Sequence, residues 1–297
     1  MSHLLEYYTV KILFSILSLV PLSLSGGLLK CAGRLFFYSS SKRRNVALSN
    51  LTIAYGDTLS AAQKQKIAIK CFENGALSIL ELFLIKKIKK KASSRFTMTG
   101  VPHFEAALSR GKGVIFIASH LGSWEYIAFP GYLKNVAHAV IVKKIRNSYL
   151  DQMIDKLRRQ IDTVPIPKIN AIRPTLHELH QNHTVALVID QWDGSDGIWI
   201  DFFGRATSTT SLPARLAKKT GCALIPIFCL RKESGQYEIQ VLPEVPLSSG
   251  PDWEFDTTKR LNEILEHQIR QYPEQWFWGH KRWKEKPRTN RVGVGDV

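Results

Sequence analysis

Cysteine is scarce in this chain, and acidic residues are outnumbered. The four cysteines, Cys31, Cys71, Cys222 and Cys229, form no CxxC pair and no zinc-ligand spacing. That excludes a dithiol redox motif and a cysteine-based metal site. Cys222 and Cys229 lie in the apolar run GCALIPIFCL, where a free thiol packs as a small hydrophobe. The reading is reduced cysteines in a cytosol-facing domain. The first residues, MSHLLEYYTVK, carry no basic cluster and lead to no clean small-residue cleavage site, so no cleavable signal peptide is expected. Neither repeats nor low-complexity segments are evident.

Charge is missing altogether between Lys11 and Lys30. The run is marginally long enough to cross a bilayer, since a span needs about 20 residues. Pro21 and the pair Gly26–Gly27 argue against one continuous helix. Two short apolar helices breaking near Pro21 fit better. A segment at about 4–38 is therefore expected to associate with a membrane, inserted or interfacial; the alternative is a helical hairpin packed on the rest of the protein. Lys30, Arg34, Lys42, Arg43 and Arg44 follow. If the segment spans, that bias keeps the following domain on the cytoplasmic side.

What is present in excess is positive charge. The 297 residues hold 41 Lys and Arg against 25 Asp and Glu, a formal net charge of +16. Such a surface points to anionic partners: nucleic acid, acidic lipid headgroups or a phosphorylated substrate. The apolar share, 44%, is ample for a large core.

Residues 60–91 read as one helix, capped by Ser60 and ending in the basic run IKKIKKK. From about residue 111 short β-rich runs alternate with helical ones. The strand candidates are GVIFIAS, HAVIVKK, TVALVID, IWIDFF, ALIPIFCLR and YEIQVLPEV. Helices are expected at 124–134, 148–161, 171–181, 212–220 and 256–272. Pro213 suits a first helical turn and Gly221 a helix end. This alternation predicts an α/β fold with a mostly parallel, twisted sheet flanked by helices. The expected organisation is a helical N-terminal region, 1–100, and an α/β catalytic region, 101–297.

The chemistry concentrates in VIFIASHLGSWE, Val114 to Glu125. His120 stands directly after a predicted buried strand, and in open α/β sheets active sites lie at the carboxyl ends of strands. Gly122 allows a tight turn. The turn can bring Glu125 back beside His120, fixing one ring nitrogen and leaving the other as a base. Ser119 and Ser123 are not in a GxSxG context, which excludes a nucleophile elbow. A base without an enzyme nucleophile suits direct transfer, in which an acceptor hydroxyl attacks an acyl thioester. The bland alternative is a structural histidine at a strand end. His177, His180 and His183 lie three apart; a solvated helix end is the preferred reading, and no metal is expected.

SHLGSWE resembles the HX4D/E motif of glycerolipid acyltransferases, and its HLGxWE form is similar to the lipid A biosynthesis (late, or secondary) acyltransferase family. SKRRNVALSNLTIAYGDTLS, KKIRNSYLDQMIDKLR, LVIDQ followed by IWIDFFGRATSTTSLPARLAKKTGCALIPIF, and WFWGHKRWK resemble further segments of that family, in order. The resemblance implies His120 as general base with Glu125 as partner, and Arg146 with Asn147 near the donor thioester or an acceptor phosphate. It gives Asp190 and Gln191 a part in shaping the substrate site. It further implies a fatty acyl thioester donor (acyl carrier protein, or CoA), no cofactor, and a phosphorylated glycolipid acceptor such as a lipid A precursor. An acidic carrier protein and anionic membrane lipids become the expected partners, at the bacterial inner membrane with the catalytic region facing the cytoplasm. A lysophospholipid or other glycolipid acceptor is the alternative within enzymes. A non-catalytic membrane or nucleic-acid binder is the alternative outside them, and no nucleic acid is expected. The tail WFWGHKRWKEKPR reads as membrane-interface texture, with Trp at headgroup depth. Leu212 stands where the family has glycine, and Ser123 where it has asparagine; neither touches His120 or Glu125.

Overall fold

A computed structural model describes residues 2–195, 197–232 and 235–285. In chain order the helices and strands are α1 (His3–Leu19), α2 (Leu22–Ser39), α3 (Ser41–Tyr55), α4 (Ala61–Phe83), α5 (Ile85–Lys89), α6 (Ala92–Arg95), β1 (Phe96–Thr99), α7 (Val101–Leu108), β2 (Val114–Ala118), α8 (Phe129–Leu133), β3 (His138–Val142), α9 (Ser148–Arg158), β4 (Thr163–Pro167), α10 (Ile172–His180), β5 (Thr184–Val188), β6 (Ile198–Phe202), β7 (Arg205–Thr209), α11 (Leu212–Thr220), β8 (Ala223–Arg231), β9 (Tyr237–Val241) and α12 (Trp253–Gln271).

Seven strands form one sheet in the order β1-β9-β8-β2-β5-β3-β4. The pairs from β8 to β4 are parallel; β9 runs antiparallel to β8. This is the expected α/β architecture. Strand β2 is buried along its whole length, as a central parallel strand covered on both faces must be, and its sequence is accordingly an unbroken apolar run. The register aligns Ala118 of β2 with Val188 of β5. Residues two steps beyond each strand therefore emerge side by side, and these are His120 and Asp190.

The sequence pattern misses three strands. β1 is a four-residue edge, too short for a periodicity to register. β4, TVPIP, carries two prolines, which only an edge strand tolerates. β7 pairs with β6 in a separate antiparallel hairpin, so the expected strand IWIDFF lies outside the main sheet. The helix expected over 60–91 is broken at Leu84. Ser60 does cap its start, with Gln63 returning the hydrogen bond. No Gly or Pro stands at the break; the kink turns Ile85 and Ile88 into a buried cluster with Leu80, so tertiary packing decides it. α11 matches its expected bounds, with Pro213 in its first turn and Gly221 left-handed at its end.

The break between α1 and α2 falls at Pro21, as expected. α2 crosses α4 so closely that a Cβ on Gly33 would lie 2.5 Å from the Phe72 carbonyl oxygen. Among the described residues no helix is long and apolar enough to cross a membrane. Yet α1 buries only Phe14 and Leu17 and leaves Leu5, Ile12, Leu13, Ile16 and Leu19 exposed, and α2 exposes Leu24, Leu28, Leu35 and Phe36.

Arg231, at the carboxyl end of β8, forks onto Glu81 of α4 at 2.6 and 2.7 Å, with Asn74 and Ser78 as further partners. The pair is buried, and Ser78 Oγ also donates to the Gly122 carbonyl at 3.3 Å. Removing one partner of a buried pair leaves an uncompensated charge. We expect Arg231→Met to lose about 3–5 kcal/mol of unfolding free energy and Glu81→Leu/Arg231→Met to recover most of it. Denaturant melts of the three proteins check this; a double variant as unstable as the single one refutes it.

Candidate active site

The turn after β2 is clamped on two sides. Gly122 has φ +64, and a Cβ there would meet the Cys229 carbonyl oxygen at 2.1 Å. Only glycine fits, as its place in the motif suggested. Ser123 N donates to that Cys229 carbonyl at 2.7 Å, Gly122 N to the Gln275 carbonyl at 3.0 Å, and Phe277 N to the His120 carbonyl at 3.0 Å. The end of β8 holds one side of the turn; the C-terminal segment 275–277 holds the other.

His120 keeps 24% of its side chain exposed, whereas Asp190 keeps 2%. His120 Nδ1 lies 2.8 Å from Asp190 Oδ1, and the His120 backbone N–H donates to Asp190 Oδ2 at 2.8 Å. The Trp276 indole N–H donates to the same Oδ2 at 2.6 Å. A carboxylate can only accept, so Nδ1 carries the proton and Nε2 is left with its lone pair. The Gln191 amide nitrogen lies 3.3 Å from both ring nitrogens, and Trp124 meets the ring edge-on at 5.3 Å between centroids.

The charges reinforce this arrangement. Burial pulls the His120 imidazole down, but the Asp190 carboxylate beside it, aided by the charge of Glu125, holds it above its ordinary value. Burial pushes the Asp190 carboxyl up, but His120 and the indole hydrogen bond outweigh it and hold Asp190 below the usual carboxylate range.

The sequence placed Glu125 on the ring as its orienter. In the structure that contact belongs to Asp190. Glu125 instead receives a fork from Arg158 of α9, at 2.9 and 2.8 Å, both side chains being largely buried. The motif turn continues as a tight 3-10 helix over Trp124–Ala128, and Arg158, one turn before β4, meets it there. Asp190, expected to shape the substrate site, is the carboxylate that fixes the imidazole.

Asn147 differs from expectation too. Its Oδ1 caps α9 through Tyr149 N and Leu150 N, and its Nδ2 donates to the His3 carbonyl and to Glu6 Oε2, both at 2.8 Å. With donors and acceptor engaged, it fastens α1 to the loop after β3. Arg146, its neighbour, is exposed, with no hydrogen bond or ion pair among the described residues. It stands four residues past β3, on the same edge of the sheet as His120 and Asp190.

The tail, of which residues 286–288 lie outside the described residues, also departs from its membrane-interface reading. Trp276, Trp278 and Arg282 are buried. Arg282 donates to the Gln191 and Ser208 carbonyls, both at 2.7 Å, and to Thr209 Oγ1 at 2.6 Å. Burial pulls its guanidinium down to about 10. Among the described residues no carboxylate pairs with it directly. Trp276, Arg282 and Arg158 were missed as site residues because a sequence does not show what folds back onto Asp190 or Glu125. The mixture of tryptophan with arginine was the available signal, and it fits a buried clamp as well as a lipid interface.

The profile of the bacterial lipid A biosynthesis acyltransferase family matches residues 1–285. A lipid A biosynthesis acyltransferase of Haemophilus influenzae is 24% identical over 89% of this chain and 82% of its own. A phosphatidylinositol mannoside acyltransferase of Mycolicibacterium smegmatis is 26% identical over 62% of this chain and 60% of its own. A lipid A biosynthesis palmitoleoyltransferase of Escherichia coli is 22% identical over 83% and 80%.

Neutralising Asp190 tests the electrostatics directly. In Asp190→Asn the burial of His120 persists while its counter-charge goes, so the imidazole pKa should fall. Histidine-labelled NMR titration of both proteins measures it. A His120 resonance that titrates unchanged in Asp190→Asn contradicts the assignment.

Proposed function

Because the chain belongs to the bacterial lipid A biosynthesis acyltransferase family, we propose that it transfers a fatty acyl chain from a thioester to a hydroxyl of a phosphorylated glycolipid, a lipid A precursor first. The chain is an acyltransferase by family; donor, acceptor and mechanism are the proposal. The observation that carries the mechanism is the His120–Asp190 contact, which leaves Nε2 as a free base at the carboxyl end of β2. The acceptor hydroxyl gives its proton to Nε2 as its oxygen attacks the thioester carbon. The tetrahedral intermediate collapses, the C–S bond breaks, and the leaving thiolate recovers the proton from His120. No enzyme nucleophile takes part. Glu125, forked by Arg158, adds negative charge near the imidazolium that forms in the transition state. Arg146, exposed at the same edge of the sheet, is the residue we assign to meet the acceptor phosphate or the donor's polar end in a two-point fork.

The donor we propose is an acyl carrier protein thioester, whose acidic surface suits the basic excess; CoA is the alternative. Membrane contact is interfacial in this reading. The outward apolar faces of α1 and α2 need an apolar cover. Lys87 of α5 donates to the Ser18 carbonyl at the end of α1; a basic run next to that apolar face supports the interfacial reading, in which lysines would meet anionic headgroups. The location is the cytoplasmic face of the bacterial inner membrane. A second reading, another phosphorylated glycolipid as acceptor, has support in the mycobacterial relative, whose name specifies a phosphatidylinositol mannoside.

Mass spectrometry of lipids from a deletion strain tests the reaction: the missing mass identifies acceptor and acyl chain together. A lipid profile identical to wild type refutes the proposal. His120→Ala should cost ~10²–10⁴-fold in turnover, and labelled donor without acceptor should leave no acyl group on the protein. A stable adduct on Ser or Cys overturns direct attack. Arg146→Lys keeps the charge but loses the fork, and should raise the KM of acceptor or donor; unchanged constants for both mean that Arg146 is surface charge.

A further inference from the structure

A tetrahedral intermediate puts negative charge on the former carbonyl oxygen, and its stabilisation requires donors held in place beforehand. His120 is occupied as base, and its Nδ1 is held by Asp190. The segment 278–280 is fixed from outside. Asn50 Nδ2 donates to the Trp278 and His280 carbonyls at 2.8 and 2.7 Å, and Arg43 to the Gly279 carbonyl at 3.2 Å. On either side of it, Trp276 is bonded to Asp190 and Arg282 to the Gln191 carbonyl. His280 is thus carried on a loop whose two ends rest on the Asp190–Gln191 turn, within reach of the charges of both Asp190 and His120.

The side chain of His280 makes no hydrogen bond among the described residues, and its Nδ1 is sealed from solvent. An unpaired buried N–H costs more than an unpaired lone pair, so the proton sits on Nε2, the nitrogen that keeps access to the surface. Burial lowers the His280 imidazole to about 4, with the charges of Asp190 and His120 both acting on it. It is therefore neutral at working pH, a donor that does not compete with His120 for a proton.

We propose that His280 is a further catalytic residue, whose Nε2–H donates to the thioester carbonyl oxygen as it becomes an oxyanion. This rests on the acyl-transfer reading above and adds the donor that reading lacks. The bonds balance as before: the acceptor proton goes to His120, the C–O bond forms, the charge rests on the oxygen facing His280, and C–S cleavage returns the proton to sulfur.

The test uses the full-length protein with a radiolabelled acyl carrier protein thioester and, separately, a lipid A precursor or a phosphatidylinositol mannoside as acceptor. His280→Ala should lower kcat by about 10²–10³-fold, the range for one oxyanion donor, with both KM values within a few-fold of wild type and the thermal midpoint retained. His280→Gln, which keeps an N–H, should recover at least about tenfold of that loss; His280→Leu, which only fills the space, should not. The acid limb of the pH–rate profile belongs to His120 and should stay in place in His280→Gln. An active wild type with His280→Ala equally active overturns the inference alone. So does recovery by Leu as complete as by Gln, which would mark a packing role and needs only those two folded variants to be seen. A wild type that acylates neither acceptor overturns the acyl-transfer reading itself.

Discussion

A carboxylate withdrawn from water must be surrounded by donors, and Asp190 is surrounded by three. Two come from His120, through its backbone and its ring, and one from the indole of Trp276. Those bonds join the turn after β2, the turn after β5 and the C-terminal segment at one point. The parallel register makes the meeting possible, since Ala118 and Val188 are paired and each strand continues two residues further. The imidazole gains a fixed tautomer and a raised proton affinity from the same contact. Geometry and electrostatics of the imidazole therefore share one cause.

The C-terminal segment is part of this construction. Trp276 bonds the carboxylate, Phe277 bonds the His120 carbonyl, and Arg282 ties the Gln191 carbonyl to β7. α3 holds the segment from the far side through Asn50 and Arg43. The α3 stretch SKRRNVALSN and the aromatic tail, distant in sequence, are two halves of one clamp. Arg282 is buried without a direct ion pair among the described residues, its hydrogen bonds going to carbonyls and a hydroxyl. Backbone oxygens held this way leave the site few ways to relax.

The membrane-facing reading and the site meet at Asn147. It caps α9 and holds α1 through the His3 carbonyl and Glu6. α9 also supplies Arg158 to Glu125. A helix with an exposed apolar face is thus connected through one amide to the rim that carries Arg146, and through one helix to the motif carboxylate. Seating α1 on a lipid surface would bring that rim to headgroup level.

Much of the fold was legible from periodicity and punctuation. The buried strands β2 and β8, the helix from Leu212 to Thr220 and the break at Pro21 follow from runs, caps and breakers that act within a few residues. So does the place of His120, because a strand end followed by glycine forces a turn at the sheet's carboxyl edge. The edge strands were hidden by their shortness and prolines, and the kink at Leu84 by packing that no local residue encodes. Glu125 was read as the orienter because it is the near carboxylate in sequence. Asp190 lies 70 residues away and becomes the nearer one only through strand register. The sequence by itself determined that His120 and Asp190 each stand just past a buried strand, on the carboxyl edge of the sheet, because strand runs and turn breakers act through local backbone preference. Which carboxylate holds the imidazole, which arginine holds the other carboxylate, and that the tryptophans are core were decided by tertiary structure, because burying a charge or a large ring selects partners by proximity in space.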